Sequence, residues 1–228
     1  MAWASSSSVV IAEEDVIACC EGRRGWPIEN SEVFITTDDG YAQNFTGPYL
    51  DAVSSLGVRP HLFLIGVALD PVALGNHPHL ELDEGGAPRP LASPALLREA
   101  IDAGWTVGAH TWTHRDLTQL GQRDLHDELV ECKFRIEDAL QVPVRSFAWP
   151  WGRRQNVSEQ AMSIVRGQYD AAFSTEGGAT IGEPRDRYFI RRDTVDKWMS
   201  SRELRGVLAG GLDRARGVSR RGSGGVTA

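Results

Sequence analysis

Short apolar runs alternate with amphipathic helical segments along most of this chain, and that alternation limits the folds open to it. Residues 33–37, 61–66, 105–110, 146–150 and 169–174 read as strands, and 187–192 as a weaker sixth. Between them, "GPYLDAVSSLG" places Tyr49, Leu50, Val53 and Leu56 on one helical face before Gly57 stops it. Ser93-Pro94 supplies a cap and a first-turn proline for a helix that Gly104 ends. A longer helix over 122–140 carries the stripe Leu125, Leu129, Cys132, Ile136 and Leu140, and 157–167 forms another. A short helical pattern at 13–22 precedes the first strand, and the Pro- and Gly-rich stretch 70–92 predicts a surface loop. Strands joined through helices predict a parallel α/β sheet or barrel, with a site built where the strands end.

The 228 residues are 41% hydrophobic and 24% charged, enough to fill the core of one sizeable domain. Residues 1–205 are expected to form that domain, and 206–228 a flexible Gly/Arg/Ser-rich tail. A net charge of −7 without a basic stripe argues against a nucleic-acid partner. No run reaches the roughly 18 to 20 apolar residues of a membrane span. Glu13, Glu14 and Asp15 stand where a secretion signal would be apolar, so the expected location is cytoplasmic. Cys19, Cys20 and Cys132 are odd in number and lack CxxC spacing, which predicts reduced thiols.

The polar punctuation falls at the strand ends. The first strand ends in Asp38-Asp39-Gly40, the third in His110 and His114, and the fourth in "WPWGRR". In a parallel α/β fold these ends share one face, so the groups can converge. Adjacent carboxylates repel, and a bound cation would offset that repulsion, while Gly40 gives the backbone room to turn. Two histidines four residues apart can share one face of a helical turn and bind one metal. Two imidazoles with one carboxylate suit hydrolytic zinc or non-haem iron.

In order along the chain, "ITTDDGY", "GAHTWTH" and "FAWPWG" resemble the motifs of the polysaccharide deacetylases, which remove acetyl groups from sugars. The resemblance spans residues 33 to about 195. It implies an α/β fold, a distorted (β/α)7-type barrel, and a metal-dependent carbohydrate deacetylase that releases acetate from an N-acetylated amino sugar or small glycoconjugate. It further implies Asp39, His110 and His114 as metal ligands, for zinc in the first place, with cobalt, nickel or manganese as alternatives. Asp38 would be the general base towards metal-bound water, and the backbone N–H of Trp151 the oxyanion donor. Tyr41, Trp112 and Trp149 are candidates for sugar contact, Trp112 ahead of Trp149, which equally suits core packing.

The match departs from the pattern twice. Ala148 stands where the commonest third motif has an arginine orienting the base; the "FAYPYG"-type subgroup has a later arginine, and "YFIRRD" offers Arg192 (or Arg191) for it. The family's acid histidine has no counterpart, since none of the six histidines lies before 61 or after 126. His77 and His79 are the other clustered pair, read as an exposed loop pair ahead of a replacement acid, and His61 and His126 as structural. Two alternatives therefore stand beside the deacetylase: a metallo-amidohydrolase acting on a non-sugar amide, and a carbohydrate-binding relative without turnover.

Overall fold

Every strand of the main sheet runs parallel to its neighbours, and sheet order follows chain order. The computed structural model describes residues 9–26, 32–55, 57–74, 89–178, 184, 186–195 and 199–208. Strands β3 (Thr36–Asp39), β4 (His61–Leu64), β5 (Thr106–Ala109), β6 (Ser146–Ala148) and β7 (Ala171–Phe173) form a five-stranded curled sheet, order β3-β4-β5-β6-β7. A parallel bridge from Phe173 to Ile190 continues it where the weak sixth strand is expected. Upstream, β1 (Val9–Ile11) and β2 (Glu32–Phe34) form a parallel pair, and Ile35 separates β2 from β3. The α/β barrel expected from the sequence is thus present, in distorted form.

The connecting helices are those the sequence patterns predict: α2 (Gly47–Ser55), α4 (Pro94–Asp102), α5 (Gln122–His126) continuing into α6 (Cys132–Leu140), and α7 (Glu159–Gln168). The Ser93 hydroxyl accepts from Leu96 N–H at 3.2 Å and Ser158 from Ala161 N–H at 3.2 Å, satisfying donors that helix starts leave open. The 122–140 helix differs from expectation in one respect: Asp127–Glu131 is a π-helical turn between α5 and α6. The short α3 (Pro71–Leu74) opens the predicted loop, and residues 75–88, with His77 and His79, lie outside the described residues. Helix α8 (Ser201–Leu208) runs past residue 205, and 209–228 also lie outside. Among the described residues no helix is long and apolar enough to cross a membrane.

Alternation along the strands sorts side chains into two cores. Leu62, Leu64, Val107, Ala109 and Phe147 face outwards and pack on Leu97, Leu129, Ile136 and Val165 of the helices. Phe63, Ala148, Ala171 and Phe173 face the barrel interior, where they meet Val16 and Ile17 of α1 (Glu13–Cys20). Helix α1 therefore plugs the end of the barrel at which the strands begin, leaving their C-terminal ends open. Arg145, just before β6, holds the plug with ion pairs to Glu14 (2.9 Å), Glu21 (2.7 Å) and Asp170 (2.6 Å).

The plug buries polar groups. His61 is fully buried, with Nδ1 at 2.8 Å from Thr106 Oγ1 and Nε2 at 2.9 Å from Ser146 Oγ. Glu13 Oε1 lies 3.8 Å from His61 Nε2 and makes no hydrogen bond. Burial pushes the Glu13 carboxyl up from 4.5 to about 7, against Ser146 and Arg145. Burial, with the Arg192 charge, pushes the His61 imidazole down from 6.5 to about 3, against Asp38. The folded chain thus holds a proton on Glu13 that the unfolded chain releases near 4.5, so this group's stabilisation fades as pH rises from 4.5 to about 7. His61 acts oppositely: the unfolded chain gains a proton below 6.5 that the folded chain refuses, so stability rises from about pH 3 to 6.5. Between pH 4.5 and 6.5 the two slopes cancel. In Glu13→Gln the cancelling slope is lost, so urea-unfolding free energy should rise with pH across that window more steeply than in the parent chain, by up to about 1.4 kcal/mol per pH unit. The same slope in variant and parent would contradict the assignment.

Candidate metal centre

Adjacent strand residues normally point to opposite faces, so Asp38 and Asp39 should not share a site. Asp39 does not stay in strand geometry: its φ is 71°, and Gly40 follows at 89°. The left-handed turn swings Asp39 to the cleft that Asp38 already faces. At that φ a side chain on residue 40 would be strained, and its Cβ would also stand 2.7 Å from Leu64 Cδ1, so glycine suits the turn.

His110 follows β5 and is buried; its Nδ1 donates to the Ala148 carbonyl at 2.8 Å, which leaves Nε2 facing Asp39 Oδ1 at 3.5 Å. Burial holds the imidazole below its ordinary range, against the Asp38 charge and the Ala148 carbonyl, so the ring is the neutral ligand form. His114 Nε2 lies 3.7 Å from the same Asp39 oxygen. One ligand atom from each of the three side chains falls within 4.8 Å of the others. Among the described residues this is the one His/Cys/Asp/Glu group spaced to hold an ion.

The 110–114 segment is not the helical turn that its spacing suggests. Thr111 (φ 64°) and His114 (φ 57°) are both left-handed, and Thr111 Oγ1 accepts from the His114 N–H at 2.9 Å. A tight loop, not a helix face, brings the imidazole centroids to 4.9 Å.

Arg192 meets Asp38 in a two-pronged ion pair, Nη1 to Oδ1 and Nη2 to Oδ2, both 2.7 Å. Its Nη1 also donates to Thr36 Oγ1 at 2.9 Å and its Nε to the Ser174 carbonyl at 3.0 Å. Arg191 is exposed, so the choice between the two arginines falls to Arg192. Burial alone would raise the Asp38 carboxyl; the Arg192 guanidinium, aided by His110 and His114, outweighs it and holds Asp38 below the usual carboxylate range.

The aromatic candidates divide. Trp151 is 47% exposed at the rim, with its ring 5.0 Å from that of His114. Its φ is 54°, and its carbonyl is tied to Thr175 Oγ1 at 2.6 Å. The three proposed sugar contacts are more covered than Trp151. Trp149 is fully buried, because alternation from inward-facing Ala148 turns it to the helix layer, where Nε1 donates to the Tyr188 carbonyl at 2.9 Å. Trp112 is half-buried with its ring against Gly66, where an added Cβ would stand 2.4 Å from it, and Arg135 covers it at 4.7 Å. Tyr41 is 4% exposed beneath Arg89. His126, on α5, lies 3.9 Å from Glu131.

Sequence reasoning missed Glu128, a buried carboxylate bonded to Thr113 between the two histidines. Its sequence signal is a glutamate three residues after Leu125, on the apolar face of its helix.

With this geometry in view, comparison with known proteins is decisive. The sequence model of the polysaccharide deacetylase family matches residues 27–166. The chain belongs to that family. It is 30% identical over 122 residues to a chitooligosaccharide deacetylase of Sinorhizobium fredii, covering 53% of this chain and 46% of that protein. It is 20% identical over 143 residues to the peptidoglycan-N-acetylglucosamine deacetylase PgdA of Listeria monocytogenes, covering 62% of this chain and 26% of that one. The chain thus spans from a quarter to about half of these curated relatives. The deacetylase PplD of Streptococcus pyogenes, solved with acetate, shares the fold at TM-score 0.71 and 17% identity, over 90% of this chain and 81% of that one. A polysaccharide deacetylase fold, BA0330 of Bacillus anthracis, aligns at 0.69 and 19% identity over 91% of this chain and 59% of that one.

Removing the Arg192 charge should cost stability. In Arg192→Met the stem can still pack near Phe63 and Phe173 while Asp38 loses its partner. The expected loss is about 1–3 kcal/mol in urea unfolding, less than for a fully buried pair because a quarter of the Asp38 side chain is exposed. Arg191→Met should stay within about 0.5 kcal/mol of the parent.

Proposed function

We propose that the protein is a metal-dependent N-deacetylase that hydrolyses the acetamide of an N-acetylated amino sugar or small glycoconjugate. One observation carries the reading: Asp39, His110 and His114 converge on a common point, and beside them stands a second carboxylate, Asp38, that an arginine keeps ionised. The names of the two curated relatives, one for peptidoglycan N-acetylglucosamine and one for chitooligosaccharides, support N-acetylglucosamine units as the substrate class.

The donor set fits a divalent ion. Ligand atoms on tetrahedral zinc, each at about 2.0–2.1 Å, stand about 3.4 Å apart. The two histidine nitrogens lie 3.5 and 3.7 Å from the Asp39 oxygen, a small closure away. Two imidazoles and a carboxylate suit zinc, with cobalt, nickel and manganese as alternatives. When bound, such an ion polarises the acetyl carbonyl and brings the pKa of a water molecule towards neutrality.

The remaining work falls to the chain. Asp38, ionised at neutral pH, takes the proton of the attacking water. Arg192 fixes both of its oxygens, and each keeps a lone pair for that proton. The Trp151 N–H donates to the oxyanion, and the Thr175 hydroxyl holds the residue from its other side by bonding the Trp151 carbonyl. The Trp151 ring offers an apolar surface on which a sugar can stack. One water is consumed and the C–N bond breaks: the water oxygen goes to acetate, and the proton taken up by Asp38 ends on the nitrogen, which leaves as the free amine.

Zinc-loaded protein should release acetate from chitooligosaccharides or peptidoglycan fragments. Asp38→Asn should lower kcat about 10²–10⁴-fold while still taking up zinc, whereas Asp39→Asn and His110→Ala should lose the zinc. Acetate assays paired with metal analysis check both. A zinc-loaded protein that releases no acetate from either substrate would overturn the reading.

A further inference from the structure

The loop that presents the two histidines is held from outside the site by one residue of the π turn. Glu128 is 4% exposed, on the face of the 122–140 helix that also buries Leu125 and Leu129. One carboxylate oxygen accepts from Thr113 N–H at 2.8 Å, and the other from the Thr113 hydroxyl. The backbone carbonyl of Glu128 accepts from Trp112 N–H at 3.2 Å. A single residue therefore takes two consecutive amides of the loop, those of Trp112 and Thr113.

The π turn makes this double role available. In an α-helix the Glu128 carbonyl would accept from Cys132 N–H, four residues on. Here Cys132 N–H bonds to Asp127, five residues back, and the Glu128 carbonyl turns to the histidine loop instead. The loop it holds is strained, since Thr111 and His114 are left-handed without being glycine. Such backbone persists where its surroundings over-determine it. A buried carboxylate is itself costly unless hydrogen-bonded, and Thr113 supplies both bonds.

We propose that Glu128, with the π turn that carries it, is a positioning residue that fixes the spacing of His110 and His114 and thereby the affinity of the metal centre. This rests on the metal-ligand reading above. Outer-shell partners of metal ligands typically change affinity 10- to 100-fold when removed.

The test is a zinc competition titration on the full chain, with cobalt(II) visible spectra as a second readout. Glu128→Ala should weaken zinc about 10- to 100-fold and alter the cobalt d–d bands. Glu128→Gln, which keeps one acceptor, and Thr113→Val, which deletes only the hydroxyl, should fall between it and the parent chain. Ile136→Val, a core change in α6 away from the loop, should lower the melting temperature yet leave zinc affinity within about twofold. Equal zinc affinity in the parent, Glu128→Gln and Thr113→Val chains would overturn the proposal and leave the metal reading standing. A parent chain that binds no zinc would overturn both.

Discussion

The two-pronged ion pair between Arg192 and Asp38 is the interaction on which both the barrel and its site depend. β3 and β7 are the two edges of the five-stranded sheet. Arg192 reaches Thr36 and Asp38 on β3 and the Ser174 carbonyl just beyond β7, so one guanidinium spans the gap between the edges. It lies over the rings of Phe63 (5.0 Å) and Phe173 (5.9 Å), which exclude water from beneath the pair. A rigid planar fork with several donors suits that span; a lysine ammonium would meet the same charge but not the same geometry. The price of taking both ions out of water is offset only while every prong has its acceptor.

Around that pair the backbone is under strain. Among the described residues five non-glycine positions have positive φ, and four of them, Asp39, Thr111, His114 and Trp151, border the metal centre. Each left-handed residue costs about 1–2 kcal/mol. Each of the four is tied down by a bond from a neighbouring element or within its own loop. Ile65 N–H bonds the Asp39 carbonyl and Gly66 N–H the Thr111 carbonyl. The Thr111 hydroxyl holds His114, and Thr175 holds Trp151. The benefit is directional: side chains next to each other in sequence reach the same point, which regular strand geometry forbids.

The alternation of strands and helices was legible because buried parallel strands and amphipathic helices have distinct periods; β4 to β7 lie within predicted runs, while the run 33–37 is split between β2 and β3, which reaches Asp39. The ligand candidates were legible because polar residues at the ends of apolar runs stand out. What periodicity does not carry is which face a residue beyond the strand end will take. Trp149 and Trp112 sit among the motif residues and look like contact candidates, yet alternation from Ala148 turns Trp149 into the helix layer, and Trp112 is half-buried against Gly66. The left-handed turn at Asp39 is equally silent in the sequence, since aspartate does not announce positive φ as glycine does. The π turn at 127–131 is hidden for another reason: the stripe from Leu125 to Leu140 keeps helical spacing through it.

The barrel interior contains two polar ends separated by the Phe63–Phe173 pair, whose rings lie 5.3 Å apart. Desolvation acts on the carboxylates at both, raising Asp38 at the mouth and Glu13 at the floor, yet their charge states differ. The difference lies in how each nearby arginine is shared. Arg192 gives two of its prongs to Asp38, and Asp38 is ionised. Arg145, the cation nearest to influence Glu13, is divided among Glu14, Glu21 and Asp170, so burial prevails and Glu13 holds its proton towards neutral pH. The Arg192 charge also reaches the floor, where it helps keep His61 neutral. One guanidinium thus keeps the mouth charged and helps keep the floor uncharged, which lets α1 seat against the strand starts while the strand ends remain a site for ions.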